Sequence, residues 1–321
     1  MKREMARSLP RRRASHKGNA MPQSPTMSRA ELLITDGWED YRLLDTGEGR
    51  KLERFGRVTL DRPEPQAIWA KSDPTLWGRA NASFEAVEDA EQGAWKFRKG
   101  PLGDWTMQVS GLDIRARATS FRHVGIFPEQ IVHWDWMERR IAADPRPLSV
   151  LNLFGYTGVA SLICARAGAK VTHVDASKKA IAWTKENQAV SGLDDRPIRW
   201  ICDDAVKFVQ REIRRGNTYD AILLDPPRYG RGPNNEVWHL FEMLPGLVAD
   251  CARLLSDRPS FMILTAYAVR LSFLTLHEVM RDHTAARGGS IDSGELVVRD
   301  QAGGRRLSTS LYARWVPETA P

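Results

Sequence analysis

Four short stretches of this chain carry side chains that can do chemistry, and each follows an apolar run. The most pointed is Asp225-Pro226-Pro227-Arg228-Tyr229. A residue before proline is held in extended geometry, so the two prolines stiffen the chain and fix the Asp225 side chain and nearby carbonyls. Fixed acceptors without proline N–H donors suit a substrate amino group or a flipped base. Tyr229 can stack on that base, and Arg228 can meet a phosphate or the base plane. The second stretch is Gly155-Tyr156-Thr157-Gly158, between the apolar runs SVLNLF and VASLICARAG. Without a Cβ, Gly155 and Gly158 would let a ligand approach the backbone closely. The turn lacks the third glycine of G-x-G-x-x-G, which argues against a pyrophosphate-bearing dinucleotide and so against NAD-linked redox chemistry. Third, Asp175 ends the run KVTHVD at about the spacing where an acid takes ribose hydroxyls, with Ala176 and Ser177 next to it. Taken singly, Asp175 or Ser177 equally caps the following helix. Fourth, Asp203-Asp204 can accept from an adenine amino group or, read alone, cap a helix.

The elements that must position these residues alternate between strand and helix. The spacing predicts a strand at 149–154, a strand at 170–175, a helix at 177–191 stopped by Gly192, a strand at 198–202, and a helix at 205–215 stopped by Gly216. A strand at 219–224, a helix at 237–255, a strand at 260–265 and a helix at 269–283 follow. Apolar runs near 295–299 and 307–315 flank a Gln-Ala-Gly-Gly turn and predict a closing antiparallel pair. Repeated strand and helix units imply an α/β fold with a doubly wound parallel sheet. In such a sheet all four stretches fall on one rim, at the carboxyl ends of strands, where ligands bind. Upstream, Phe127, Ile131, Trp134, Met137 and Ile141 repeat at helical spacing behind Pro128, a favoured first-turn residue, and predict a core-facing helix.

At 321 residues the chain exceeds the usual size of one core. Residues 31–120 alternate in short runs and predict a small β-rich domain ahead of a larger one at 121–321. Gly47-Glu48-Gly49 predicts a turn, and Gly100-Pro101-Leu102-Gly103-Asp104 a hairpin-like one. Within the same region Trp95-Lys96-Phe97-Arg98-Lys99 interleaves aromatic and basic residues as base-stacking surfaces do. Period-two alternation favours the simpler arrangement, with Trp95 and Phe97 in a core and Lys96 and Arg98 in water.

The net charge of +7 resides in residues 1–30, which hold eight Lys or Arg and one acid, leaving 39 basic and 39 acidic residues elsewhere. That segment, without apolar periodicity, reads as a disordered basic arm that contacts phosphates non-specifically, or equally as a dispensable tail. No apolar run reaches the length of a membrane span, and nothing resembles a secretory signal. Cys164, Cys202 and Cys251 show no metal or redox spacing and read as reduced thiols, so the expected compartment is the cytoplasm and no metal site is expected.

Taken together in this order, HVGIFPEQ, NLFGYTG, VDAS, CDDAVKFV and YDAILLDPPRYG resemble the class I S-adenosylmethionine methyltransferases related to bacterial large-subunit ribosomal RNA methyltransferases. The similarity covers residues 121–264 well and the N-terminal region more loosely. It implies a Rossmann-like sheet with S-adenosyl-L-methionine as cofactor. Asn152, Phe154, Gly155, Tyr156, Thr157 and Gly158 would surround its methionine part. Asp175 would bind the ribose, Asp203 would face the adenine amino group with Asp204 beside it, and Phe127 and Gln130 would close over the cofactor. Asp225, Pro226 and Pro227 would border the acceptor. Family members that methylate carbon 5 of cytosine carry a nucleophilic cysteine after the strand matching 260–265, where this chain has Ala268. Without a thiolate the covalent route is closed, which leaves direct displacement at a nitrogen or another already nucleophilic atom. The resemblance implies an RNA acceptor; a protein or small-molecule acceptor is the alternative, and a non-catalytic RNA-binding module would not need the full constellation.

Overall fold

The computed structural model describes residues 30–86, 93–267 and 271–318. The basic arm, apart from Ala30, and Ala268 lie outside the described residues. The β-rich segment opens with β1 (Glu31–Thr35) and continues as a five-stranded sheet of β2 (Tyr41–Gly47), β3 (Arg50–Phe55), β4 (Val58–Pro63), β5 (Ala82–Ala86) and β6 (Gly93–Phe97). A helical turn, α1 (Pro74–Trp77), lies between β4 and β5, and β7 (Trp105–Val109) and β8 (Leu112–Ala116) form a separate ribbon. Glu48 and Gly49, at φ 55° and 73°, make the turn between β2 and β3. Both torsions are positive, as a two-residue hairpin turn of matching twist requires. Gly100 to Asp104 is not a hairpin: β6 pairs with β5 and β7 with β8, so this stretch links two sheets. Half-buried Trp95 meets buried Phe84 edge-on at 5.1 Å, while exposed Lys96 pairs with Glu85 at 2.5 Å. Alternation into a core therefore explains this segment.

The remaining chain follows strand by helix. α2 (Ile131–Ala143), entered through a 3-10 turn at Pro128–Gln130, leads to β9 (Ser149–Leu153), α3 (Val159–Arg166), β10 (Lys170–Asp175), α4 (Lys178–Val190), β11 (Ile198–Cys202), α5 (Ala205–Arg215) and β12 (Ala221–Leu224). A hairpin of β13 (Tyr229–Arg231) and β14 (Val237–His239) precedes α6 (Leu240–Leu254), β15 (Phe261–Tyr267), α7 (Phe273–Thr284), β16 (Ser290–Arg299) and β17 (Arg306–Val316). The large sheet has the order β1-β16-β17-β15-β12-β9-β10-β11. Its strands are parallel except β17, which runs antiparallel to both β15 and β16. β1, grouped with the β-rich segment by its pattern, thus adds a strand to the large sheet instead.

Alternate residues of the central strands feed two cores. Val150, Leu223 and Ile263 pack with Met137 and Ile141 of α2 on one face. Leu151, Ile222 and Met262 pack with α5, α6 and α7 on the other. A strand covered on both faces reads as a continuous apolar run, which is why these strands stand out in the sequence. Predicted caps form: Ser177 accepts from the Ala180 N–H at 3.2 Å, and Gly216 ends α5 at φ 69°. Two predicted helices begin late. Residues 237–239 pair with 229–231 across a turn holding Asn235 at φ 65°, so α6 starts at Leu240. The run there is too short for periodicity to separate strand from helix. α7 starts at Phe273, capped by Ser272, whose hydroxyl accepts from the Leu274 N–H.

From β9 the chain winds outward through β10 and β11, then returns to place β12 and β15 on the other side. That reversal opens a crevice at the carboxyl ends of β9 and β12. Pairing puts Leu153 level with both Val174 and Leu224, so everything just past these residues shares one rim. The turn after β9 places Phe154, Tyr156 and Gly158 at φ 57°, 49° and 85°. A Cβ on Gly155 would lie 2.3 Å from the His173 ring and 2.9 Å from Asn152 Nδ2, and one on Gly158 2.9 Å from Thr184. Packing beneath the turn thus leaves no room for a side chain at either glycine. Gly155→Ala is expected to cost roughly 1–3 kcal/mol through overpacking against a fully buried ring, read as a lower midpoint in urea unfolding.

Candidate functional site

A cavity of about 70 Å³ opens at the crevice. One wall is the glycine turn and the end of β9, with Asn152, Phe154, Gly155, Tyr156 and Thr157. A second is the 3-10 turn and α2, with Phe127, Gln130, His133, Trp134 and Met137. Asp225 and the ends of β12 and β15 form the floor. The turn is tied down at several polar atoms. Gly155 N–H donates to Val174 at 3.1 Å, Tyr156 N–H to Asp175 Oδ2 at 2.9 Å, and the Thr157 hydroxyl to the Gly125 carbonyl at 2.6 Å. Asp175 also takes the Ser177 N–H on Oδ1 at 2.8 Å. Burial raises the Asp175 carboxyl, and these two backbone donors oppose the rise. Below the turn Asn152 Nδ2 donates to Ser161 Oγ at 2.9 Å, and Ser161 Oγ lies 3.0 Å from His173 Nδ1. Burial lowers His173 to about 3, so this ring is neutral.

The far side is aromatic. Phe127 contacts Tyr156 at 5.9 Å and Tyr267 at 5.2 Å, and His123 bridges Phe127 and Tyr156 at 5.5 and 5.2 Å. Gln130 Nε2 donates to Tyr267 Oη at 2.8 Å and reaches Asp225 Oδ2 at 3.4 Å. Asp225 Oδ1 is buried without a partner, as are both ring nitrogens of His133. Unsatisfied buried polar atoms are costly, and their gathering in one cavity marks a place built for a polar ligand. Burial, with the Glu129 carboxyl adding to it, pushes Asp225 up to about 8. Its backbone is fixed by an Asp225 N–H to Leu153 bond of 3.4 Å, and the loop behind it by Trp238 Nε1 donating to the Pro227 carbonyl at 2.6 Å.

The expected residues thus divide. Phe127, Gln130, Asn152, Phe154, Gly155, Tyr156, Thr157 and Asp225 line the cavity, with Gly158 closing the turn behind them. Asp175, Ala176 and Ser177 stand at the end of β10 on the same rim, and Ser177 is also the helix cap. Asp203 is salt-bridged to Arg211, and Asp204 caps α5 through the Lys207 N–H at 2.9 Å. The helix-cap alternative accounts for Asp204. Pro226 is buried, whereas Pro227, Arg228 and Tyr229 face solvent beyond the cavity. His133 and Tyr267 were not singled out in the sequence. His133 sits one position from the helix's apolar stripe, and Tyr267 carries no motif. Among the described residues no cysteine lines the cavity: Cys164 and Cys251 are buried in helices, and Cys202 ends β11.

A doubly wound sheet with a polar, aromatic-walled cavity at its switch point defines a nucleotide-type cofactor-binding α/β protein. Residues 57–260 match the model of the S-adenosylmethionine-dependent methyltransferase family, and the chain belongs to that family. Its cofactor is S-adenosylmethionine. A solved S-adenosylmethionine-dependent methyltransferase from Agrobacterium tumefaciens is 51% identical, with 90% of this chain and 94% of that one covered at a TM-score of 0.87. Ribosomal RNA large subunit methyltransferase I of Shewanella denitrificans is 40% identical over 82 residues, 25% of this chain and 21% of its own length. Ribosomal RNA large subunit methyltransferase K/L of Shewanella baltica is 32% identical over 127 residues, 39% of this chain and 17% of its own length. The matched segment thus spans about a fifth of these curated relatives. No helix among the described residues is long and apolar enough to cross a membrane.

A raised carboxyl destabilises the fold where it must ionise. Asp225 contributes most below about pH 4, where it is protonated folded or unfolded, and its contribution falls as pH climbs to about 8. Asp225→Asn, which is always neutral, is therefore expected to gain stability over the parent steadily between pH 4 and 8 and level off above, in urea midpoints taken across that range.

Proposed function

We propose that this protein transfers the methyl group of S-adenosylmethionine to RNA, at a nitrogen or another already nucleophilic atom, by direct displacement. Carrying the reading is the rim: Asp225 presents a buried, unpartnered carboxylate oxygen beside a cavity that no thiol lines among the described residues. The RNA acceptor is supported by relatives named for large-subunit ribosomal RNA methylation. When bound, the sulfonium supplies a methyl group that is already activated, so the protein's task is alignment and exclusion of water.

The polar atoms around the cavity suit the methionine end, with Asn152, Phe154, Gly155, Tyr156, Thr157 and Gly158 on one side and Phe127 and Gln130 closing on the other. Asp175, preceding Ala176 and Ser177, takes the ribose: each of its oxygens accepts one backbone N–H and keeps capacity for another donor. Asp203 and Asp204 lie at the adjacent strand end, towards the adenine amino group. Asp225, set between Pro226 and the end of β12, orients the acceptor and accepts its proton, while Arg228 and Tyr229 meet the RNA outside the cavity. A base whose proton affinity lies near the working pH is well matched to that task. Glu129 beside it discourages a second buried negative charge and so keeps that affinity high.

Methyl transfer should then rise with pH and reach its plateau above about 8, because Asp225 acts only when deprotonated. Asp225→Ala should lower turnover roughly 10²- to 10⁴-fold while calorimetric titration still shows cofactor binding. Radiolabelled transfer from the cofactor into ribosomal RNA of a deletion strain, beside protein and small-molecule fractions, tests the acceptor. Label in protein or small molecules and none in RNA would refute an RNA substrate, and full activity in Asp225→Ala would refute its role.

A further inference from the structure

The hairpin of β13 and β14 takes no part in the cavity, yet it begins four residues after Asp225. Its two faces differ completely. Gly230 and Trp238 pair across the inner face, and buried Trp238 packs on Phe154 of the glycine turn at 5.1 Å while donating to the Pro227 carbonyl. Leu240 N–H donates to the Arg228 carbonyl at 3.1 Å, closing the base of the hairpin. The hairpin is thereby fastened to both halves of the rim.

By the two-residue period of a strand, Tyr229, Arg231, Val237 and His239 all belong to the outer face. Tyr229 and Val237 are 58% and 49% exposed, and Phe241, at the start of α6, is 50% exposed. These are three of the seven large apolar side chains that stand out in solvent among the described residues, gathered within thirteen positions. Arg228 lies over the Tyr229 ring at 5.1 Å, and His239 meets the same ring edge-on at 5.2 Å. From Pro226 to Phe241 the only acid is Glu236, and it is occupied by Lys207 at 2.7 Å and the Asn234 N–H at 2.8 Å. Arg228 and Arg231 are exposed, and no carboxylate among the described residues pairs with either.

We propose that this outer face, Tyr229, Arg231, Val237 and His239 with Phe241 beside it, docks a single-stranded segment of nucleic acid flanking the acceptor nucleotide. Exposed aromatic faces take unpaired bases, and the unneutralised guanidinium groups take the phosphates between them. A duplex keeps its base faces covered and would leave Tyr229 and Phe241 without a partner. Four residues of extended chain, at most about 14 Å, separate Tyr229 from Asp225, so the strand lies where a nucleotide can be turned into the cavity. The assignment deepens the reading of the acceptor as RNA and depends on it.

Fluorescence anisotropy with a short labelled, unpaired RNA, and with the same RNA annealed to its complement, tests this on the full chain. The parent should prefer the single strand. Tyr229→Ala and Phe241→Ala should each weaken it by about 5- to 150-fold, the range for losing one stacked base. Arg231→Glu should weaken binding and make the slope of log affinity against log salt shallower by about 1. Calorimetric titration with S-adenosylmethionine should be unchanged in Phe241→Ala and Arg231→Glu, which shows that these variants are folded. If the parent binds the single strand and the three variants match it, or if the duplex binds better, the hairpin is not the platform although an RNA substrate stands. If the parent binds neither form and methyl transfer into RNA is absent as well, the acceptor reading falls and takes this one with it.

Discussion

A carboxylate holds a left-handed turn, and the rim takes its shape from that contact. Phe154 and Tyr156 adopt positive φ without being glycine, which costs on the order of 1 kcal/mol or more each. Asp175, reaching from the neighbouring strand, accepts the Tyr156 N–H with one oxygen and the Ser177 N–H with the other. The first bond joins the turn after β9 to the end of β10, and the second fixes the carboxylate that makes it. The residue proposed to take the ribose is therefore also the clamp on the turn.

Beneath the turn, packing leaves no latitude. His173 and Asn152 occupy the space that a side chain on Gly155 would need, and Ser161 connects them in a buried polar chain. A neutral His173 suits this position, since a buried positive charge has no carboxylate partner there. The opposite wall is built differently. Burial shifts the ionisation of Asp225, Glu129 and His133 in the direction that removes charge. The glycine-turn side of the crevice is closely bonded, with only His173 Nε2 left without a partner, and the other side leaves Asp225 Oδ1 and both ring nitrogens of His133 unpartnered. Such an asymmetry suits a ligand that is gripped on one side and reacts on the other.

The outer rim follows from the same economy of contacts. Trp238 fills the gap between Phe154 and Pro227, so one indole fixes the glycine turn and the Asp-Pro-Pro segment relative to each other. With its inner face spent in this way, the hairpin has only its outer face to offer, and that face carries aromatic and basic groups. The β-rich segment is less separate than its pattern suggests. β1 joins the large sheet, and Thr46 of β2 donates to the Asp300 carboxylate at 2.6 Å beyond β16.

Much of this was legible along the chain because it depends on neighbours in sequence. Continuous apolar runs mark strands buried on both faces, Ser177 and Gly216 mark helix ends, and strand–helix alternation implies a sheet whose carboxyl ends share a rim. These place Asp175, Asp203 and Asp225 together without any coordinates. The three-dimensional contacts decided what each residue is free to do. Asp203 is held by Arg211, Asp204 caps a helix, and His173 leaves no room for a side chain on Gly155, whereas Asp225 Oδ1 and both ring nitrogens of His133 are left without partners. The hairpin at 229–239 and the docking of β1 onto β16 were invisible for the same reason. Periodicity records which face of an element is apolar, but a hydrogen bond or clash between residues far apart in the chain leaves no trace in the local pattern.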